Sequence, residues 1–314
     1  MNSQSLVDLS TVAVIVPTWN AERYLDLFPG PLLDQGIRPD QVLIVDSESR
    51  DNTVARARSW GFRVHEIRQK EFNHGGTRAL AATLVPTAEL LVYTTQDAIM
   101  ASPDTLVNLL RVFEDPEIGA AYARQIPHAG ADAFAAHACA FNYPDRSVVR
   151  DFESRKTMGH KAIFLSDTLA AYRRTALEAV GSFPRDIVSA EDTWMAARMM
   201  LQGWKTAYVA EATVRHSHNL TLVQIFRRYF DFGVLHVRES WLREKYGEPS
   251  GEGMRFVKSE IAWVSKENPL LVPKVFLRTA AKFLGYQLGR HEAKLSNGLK
   301  SHLGTIPAYW ADEA

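Results

Sequence analysis

AELLVYTTQDA, residues 88–98, is an apolar run, Leu90 to Tyr93, that empties into a polar turn holding one acid, Asp97. A short continuous apolar segment bounded by turn formers is what a strand buried on both faces requires, as in a parallel sheet. Asp97 then stands just past the strand's carboxyl end. Ala98, Ile99 and Met100 follow it, so it does not belong to a solvated charge run. Outward from this stretch the same pattern recurs. TVAVIVPT (11–18), QVLIVDSES (41–49) and FRVHEI (62–67) read as strands before it, and IGAAYARQI (118–126) reads as one after it. Helical patterns lie between: Asn20 to Leu33, SRDNTVARARSWG (49–61) with Gly61 as its stop, GGTRALAATLVP (75–86), and SPDTLVNLLRVFEDP (102–116). Alternating strands and helices predict an α/β fold with a doubly wound, mostly parallel sheet, which binds ligands at the carboxyl ends of its strands. Thr18, Asn20, Asp46, Gln96 and Asp97 all stand at such ends. The first strand is not followed by GxGxxG, which argues against a dinucleotide site.

The 314 residues are 46% hydrophobic and 23% charged, the composition of a globular chain with a sizeable core. Formal net charge is zero, so no nucleic-acid footprint is expected. The single cysteine, Cys139, excludes a disulfide within the chain, fits a reducing cytosol and reads as a small buried hydrophobe. MNSQSLVDLS has neither the basic flank nor the apolar run of a signal peptide. No stretch approaches the roughly 18 apolar residues of a membrane span.

Past Ile126 the pattern is irregular from Asp132 to Phe164. SAEDTWMAARMMLQGWK (189–205) is a strong helix, and TAYVAEATVRHSHN (206–219) is one more strand ending in two histidines. Residues 1–219 are expected to form the catalytic domain and 220–314 a helical C-terminal region. Within the latter, PKVFLRTAAKFLGYQLGRHEAKLSNGLK (273–300) sets Lys274, Arg278, Lys282, Arg290, Lys294 and Lys300 against one acid, Glu292. That reads as a basic amphipathic segment for an anionic membrane surface. The alternative is an appendage packed on the domain or on a second subunit.

Several residues offer chemistry, each beside a plainer role. Asp97 is a hard oxygen donor for Mg²⁺ or Mn²⁺, or a turn acid. Asp46 follows four apolar residues and suits a base or ribose group, or a turn. Gly75, Gly76 and Arg78 suit a phosphate at a helix start, or form a glycine turn. Glu191 or Asp192 is a candidate general base, although either also complements a helix dipole. His216 and His218, two apart on a strand, would point to opposite faces, leaving one as a ligand.

Six motifs in order, VIVPTWN, VLIVDSESRD, FNHGGTR, YTTQDA, GSFPRDIVSAEDTWMAARMMLQGWK and RHSHN, carry a resemblance to the family 2 glycosyltransferases of the GT-A fold that covers about Val12 to Gly233. FNHGGTR with TQDA resembles the bacterial rhamnosyltransferase branch, which uses dTDP-L-rhamnose. The resemblance implies that Pro17, Thr18, Trp19 and Glu22 line the nucleotide pocket and that Asp46 contacts the base. It implies that Gly75, Gly76 and Arg78 pass the ribose and diphosphate. Gln96 and Asp97 occupy the family's Asp-x-Asp position, with Gln96 replacing the first acid; Ala79 stands where many relatives carry Asn. Asp192 matches the catalytic base ahead of Glu191. Asp97 and His216 or His218, with His216 favoured, match the ligands of a divalent metal, Mg²⁺ or Mn²⁺. The implied reaction is an inverting transfer in surface polysaccharide synthesis, at the cytoplasmic face of the inner membrane. The acceptor would be a glycan, or a saccharide on a polyprenyl diphosphate. Tyr143, Arg146, Asp167 and Arg173 are placed on the acceptor side, and Arg227 and Arg228 near a lipid-linked diphosphate or on a helix's polar face. Rival readings are a UDP- or GDP-sugar donor, a non-catalytic binding protein with a decayed site, and a nucleotidyltransferase, whose glycine-rich loop after the first strand is not present here.

Overall fold

Every apolar run named above forms a strand. The computed structural model describes residues 8–248 and 251–311. Its strands are β1 Val12–Thr18, β2 Val42–Asp46, β3 Arg63–Glu66, β4 Leu90–Thr94, β5 Ile99–Met100, β6 Ile118–Ile126, β7 Val148–Arg150, β8 Leu169–Arg173 and β9 Lys205–Arg215. They form one sheet in the order β3-β2-β1-β4-β8-β6-β9-β5, with β7 also paired to β9. β1, β2, β3 and β4 are parallel neighbours, as are β6 and β9. β8, which the sequence does not announce, runs antiparallel between β4 and β6.

Both faces of the central strands are covered. Val14, Val16, Ile44 and Val92 pack on one side with Leu106 and Leu109 of the helix Thr105–Arg111. Ile15, Val45, Leu91 and Tyr93 pack on the other with Ala81, Met195 and Met199. Each fully buried aliphatic side chain contributes about 1.5–3 kcal/mol. That is why these strands read as continuous apolar runs and not as alternating ones.

Local structure departs from expectation in two places. The helix expected over Asn20 to Leu33 is a 3-10 turn, Glu22–Tyr24, and a short helix, Pro29–Leu33. Proline cannot donate a backbone hydrogen bond and restricts the residue before it, so Pro29 starts a new helix and cannot continue one. Within the irregular stretch, Ala133–Asn142 is a helix capped by Asp132, whose side chain accepts from the Ala135 N–H at 2.8 Å.

The C-terminal region is helical, as expected, and built around Leu222–Arg238 and Val272–Arg290. These two helices touch through glycine. A Cβ on Gly289 would lie 2.0 Å from the Phe230 carbonyl oxygen, and one on Gly285 2.3 Å from that of Phe226. Phe230, Val234, Leu242, Tyr246 and Trp310 join the same core as Tyr93 and Met195. The helices after residue 219 thus share a core with the sheet.

Three cations of the basic segment, Arg278, Lys282 and Lys300, turn inward, while Lys274, Arg290 and Lys294 stay exposed. Arg278 lies over the Phe134 ring at 4.4 Å, Lys282 over Phe256 at 4.0 Å, and Lys300 pairs with Glu292 at 2.6 Å. Phe276, Leu277, Phe283 and Leu284 face outward, each more than half exposed. Cation–π contacts account for the inward turn of Arg278 and Lys282, because aromatic faces attract the long cationic side chains.

Candidate active site

Strand pairing assembles the first group of polar side chains. β5 lies against the end of β9 with Ile99 opposite Arg215, which brings Asp97, two residues upstream, beside His216. His216 Nε2 is 3.5 Å from Asp97 Oδ1, and His218 Nε2 is 3.7 Å from Oδ2. The three donor atoms lie within 4.8 Å of one another. Both histidines reach Asp97 because β9 ends at Arg215, so strand alternation no longer separates them. Their rings meet edge to face at 4.5 Å. Burial lowers both imidazoles, His216 to about 4, against the opposing pull of Asp97. At neutral pH they are uncharged, which is the ligand form. One carboxylate and two neutral imidazoles fit a divalent metal, and the nitrogen donors suit Mn²⁺ better than Mg²⁺.

The second group sets two buried acids, Asp167 and Glu191, and the half-buried Asp192 around one cation. Arg78, on the helix His74–Leu84, pairs through Nε with Asp167 at 2.8 Å and through Nη1 with Glu191 at 2.8 Å. Tyr93 of β4 holds this helix by donating its hydroxyl to the Arg78 carbonyl at 3.0 Å. Asp167 also accepts from the Tyr172 hydroxyl at 2.6 Å. Asp192 has no such ion pair among the described residues. Its oxygens accept from the Thr193 N–H at 2.7 Å and the Asp167 N–H at 3.3 Å. Ala190, just before the helix Glu191–Leu201, sits at φ 60°, a left-handed conformation held at a local cost. Burial pushes Asp192 up to about 8, with the charges of Glu191 and Asp167 adding to it. Burial also raises Asp167, to about 6, against Arg78. For Glu191 burial is outweighed by the Arg78 guanidinium, which holds it below the usual range. The adjacent acids are thereby separated: Glu191 is a neutralised structural partner, and Asp192 is the one available to take a proton.

The loops after β1, β2 and β4 form a braced platform. Thr18 Oγ1 donates to Asp46 at 2.9 Å, and Ser49 donates to it through N at 2.9 Å and Oγ at 2.6 Å. Asp46 has no exposed surface, so in this state it braces the platform and does not present an oxygen to a base. Glu22 accepts from Asn52 Nδ2 at 2.8 Å, which ties the first loop to the second. Gln96 accepts from the Trp19 N–H at 2.9 Å and donates to the Trp19 carbonyl at 3.3 Å. An acid at 96 would set a second acceptor against that carbonyl, which gives glutamine a physical reason there. Trp19 is left half exposed on the platform. Pro17 lies within β1, opposite Val45.

Residues 10–230 match the family described as glycosyltransferase like family 2. The chain belongs to this family. It is 42% identical over 300 residues to the O-antigen chain rhamnosyltransferase RfbN of Salmonella typhimurium, covering 95% of this chain and 96% of the relative. It is 41% identical over 304 residues to the O-antigen chain rhamnosyltransferase WbaN of Salmonella anatum, covering 96% of each. In fold it is similar to the mannosyltransferase PcManGT from Pyrobaculum calidifontis, solved with GDP-Man and Mn²⁺, with a TM-score of 0.56 at 21% identity over 96% of this chain and 85% of that one. It is also similar to Staphylococcus aureus TarS 1-349 with UDP-GlcNAc, with a TM-score of 0.54 at 13% identity over 90% and 91%. The GT-A reading of the sheet is thus borne out, and the chain is a glycosyltransferase.

Other expected site residues of this glycosyltransferase fall elsewhere. Arg78 is committed to Asp167 and Glu191 and has 5% of its surface exposed, so it is not free to meet a diphosphate. A Cβ on Gly75 would lie 1.8 Å from the Pro184 carbonyl oxygen, and the Gly76 N–H is taken by Asn73 Oδ1 at 2.8 Å. These glycines permit close packing and a capped helix, not an open phosphate cradle. Arg173 ends β8, opposite Leu90, at the end of the sheet away from Asp97, and binds the carbonyls of Phe113, Asp115 and Ile118. Arg146 is exposed on the turn before β7, on the outer edge of β9. Asp167 belongs to the acid cluster, and Tyr143 is buried behind His216, its hydroxyl 2.6 Å from Gln125. Arg228 faces the site, where its charge disfavours protonation of both histidines. Arg227 is exposed on the same helix. Sequence reading passed over Gln125, whose signal was a polar residue near the end of a largely apolar strand, and Ser166, which lies before β8 and carried no such signal.

Proposed function

We propose that this glycosyltransferase moves L-rhamnose from dTDP-L-rhamnose to a saccharide acceptor on a polyprenyl diphosphate during O-antigen chain synthesis, with inversion. The observation that carries the reading is the likeness to two O-antigen chain rhamnosyltransferases along nearly the whole of each chain. The site supports it through Asp192, an acid without an ion-pair partner among the described residues, and through the separate Asp97, His216 and His218 donor group.

Asp192 would accept the proton of the acceptor hydroxyl as that oxygen attacks the anomeric carbon, and the bond to the nucleoside diphosphate breaks on the opposite face. A carboxyl raised to about 8 is a stronger base than an ordinary aspartate, which suits proton transfer near neutral pH. Asp97, His216 and His218 would hold Mn²⁺ or Mg²⁺, which when bound supplies charge stabilisation to the leaving diphosphate. Arg228 adds fixed positive charge beside them. A β-linked donor would give an α-rhamnoside.

Contact with a lipid surface fits the outward apolar face of the helix Val272–Arg290. Among the exposed charged residues of 251–290, Arg255, Lys258, Lys266, Lys274 and Arg290 are cationic and Glu267 alone is anionic. Arg278 of that helix donates to the Leu220 carbonyl at 3.0 Å, which ties the face to the segment just after His218.

The test is a titration of dTDP, UDP and GDP with and without Mn²⁺, followed by turnover of dTDP-L-rhamnose. Metal-dependent preference for dTDP is expected. Preference for UDP or GDP would replace the donor, and binding of none would return the non-catalytic reading.

A further inference from the structure

Gln125, near the end of β6, is 7% exposed and stands directly behind His216. Its Oε1 lies 2.9 Å from His216 Nδ1. Its Nε2 lies 2.6 Å from the Tyr143 hydroxyl and 2.9 Å from Ser166 Oγ. The carboxamide is therefore engaged at both ends, and its partners come from three separate elements. The register of β6 on β9 sets Gln125 opposite Val214, two residues before His216. On its other side, Ser166 precedes Asp167, whose N–H binds Asp192.

A histidine that ligates through Nε2 must carry its proton on Nδ1, and that proton needs a buried acceptor. Gln125 Oε1 is the atom placed to provide it. Its two N–H groups, bound to Tyr143 and Ser166, then fix which way the amide faces. We infer that Gln125 is a positioning residue: it holds the His216 proton on Nδ1, so that Nε2 is bare toward Asp97 and His218. The inference rests on the metal reading given above. It goes beyond that reading by assigning the tautomer, and thus the readiness of the ligand, to a residue that does not itself reach the metal. It also ties the metal ligand through Ser166 to the segment that carries Asp192.

The experiment is Mn²⁺ titration by calorimetry with dTDP present, on the wild type, Gln125→Leu, Gln125→Glu and Asp97→Ala, with a thermal melt of each. Leucine fills the space but cannot accept, whereas glutamate accepts more strongly and can take hydrogens from the Tyr143 and Ser166 hydroxyls. Outer partners of this kind typically set 10- to 100-fold in metal affinity, so Gln125→Leu should bind Mn²⁺ weaker by about that factor and Gln125→Glu should stay within about threefold of wild type. A purely structural role would instead penalise both variants in the melt and leave affinity of the folded fraction unchanged. Wild-type affinity in Gln125→Leu, with binding lost in Asp97→Ala, would overturn the role of Gln125 alone. Equal weakening in the leucine and glutamate variants would also overturn it, because acceptance at Nδ1 would not be what matters. Failure of wild type to bind Mn²⁺ at all would remove the metal reading and the inference with it.

Discussion

Two neighbouring carboxylates, Glu191 and Asp192, have opposite electrostatic fates, and Arg78 decides between them. One guanidinium compensates Glu191 and Asp167 and leaves Asp192 with their repulsion. Asp192→Asn should therefore cut turnover by about 10²- to 10⁴-fold while nucleotide binding is kept. Turnover within a few per cent of wild type would give the base role to another group. The same substitution should raise the melting temperature at pH 9. The sign follows from linkage: a carboxyl whose folded value, about 8, lies above its unfolded value, near 4, holds more protons when folded, so its ionisation lowers stability as pH rises between the two. By the same shift, kcat/KM of the free enzyme should rise with pH up to about 8 and then level, an acid limb that a pH–rate profile would show. Arg78→Ala leaves two buried acids uncompensated. Breaking a buried pair of this type costs about 3–5 kcal/mol, read as a shift in the denaturation midpoint. A variant as stable as wild type would mean the cluster is wetter than its burial indicates.

At the scale of elements, glycine sets how closely helices approach. Gly75 meets the Pro184 carbonyl and Gly289 meets that of Phe230, with no room for a Cβ at either place. Gly289→Ala should destabilise by about 1–3 kcal/mol in chemical denaturation, the usual cost of overpacking. Little change would show that the two long helices can slide apart. The outward face of the helix Val272–Arg290 predicts a separate behaviour. Paired substitution Phe276→Ser with Phe283→Ser should leave the melt and dTDP binding intact while reducing sedimentation with phosphatidylglycerol vesicles several-fold, since each buried apolar side chain contributes to such binding. If wild type ignores vesicles and instead elutes as a dimer that the double variant dissociates, a second copy covers this face.

Across the whole molecule, much of the architecture was legible in order. The runs around Ile15, Ile44 and Leu91 are buried on both faces, so local composition alone marks them as central strands, and the acids at their ends follow from the chain's direction. Asp97 could be singled out on that basis, whereas Asp192 stands at a helix start and was preferred to Glu191 only through the family resemblance. β8 escaped notice because LAAYR is short and carries arginine at its end. With it went the antiparallel turn that sends Arg173 to the far side of the sheet. Within residues 273–300 the sequence did not show that Arg278 and Lys282 turn inward, because charge along a helix does not say which side meets aromatic rings.

The sequence by itself determined where the long buried strands lie and which polar residues stand at their mouths, because burial on a strand is written in consecutive residues. Only the tertiary structure decided which of those polar residues are free. Arg78 meets Asp167 and Glu191, Gln96 meets the Trp19 backbone, and Gln125 meets His216 across separations of 77 to 113 residues. The physical reason is that a charge or amide is spent on whatever neighbour the fold brings within about 3 Å, where hydrogen-bond and Coulomb terms are large, and no local pattern encodes that neighbour.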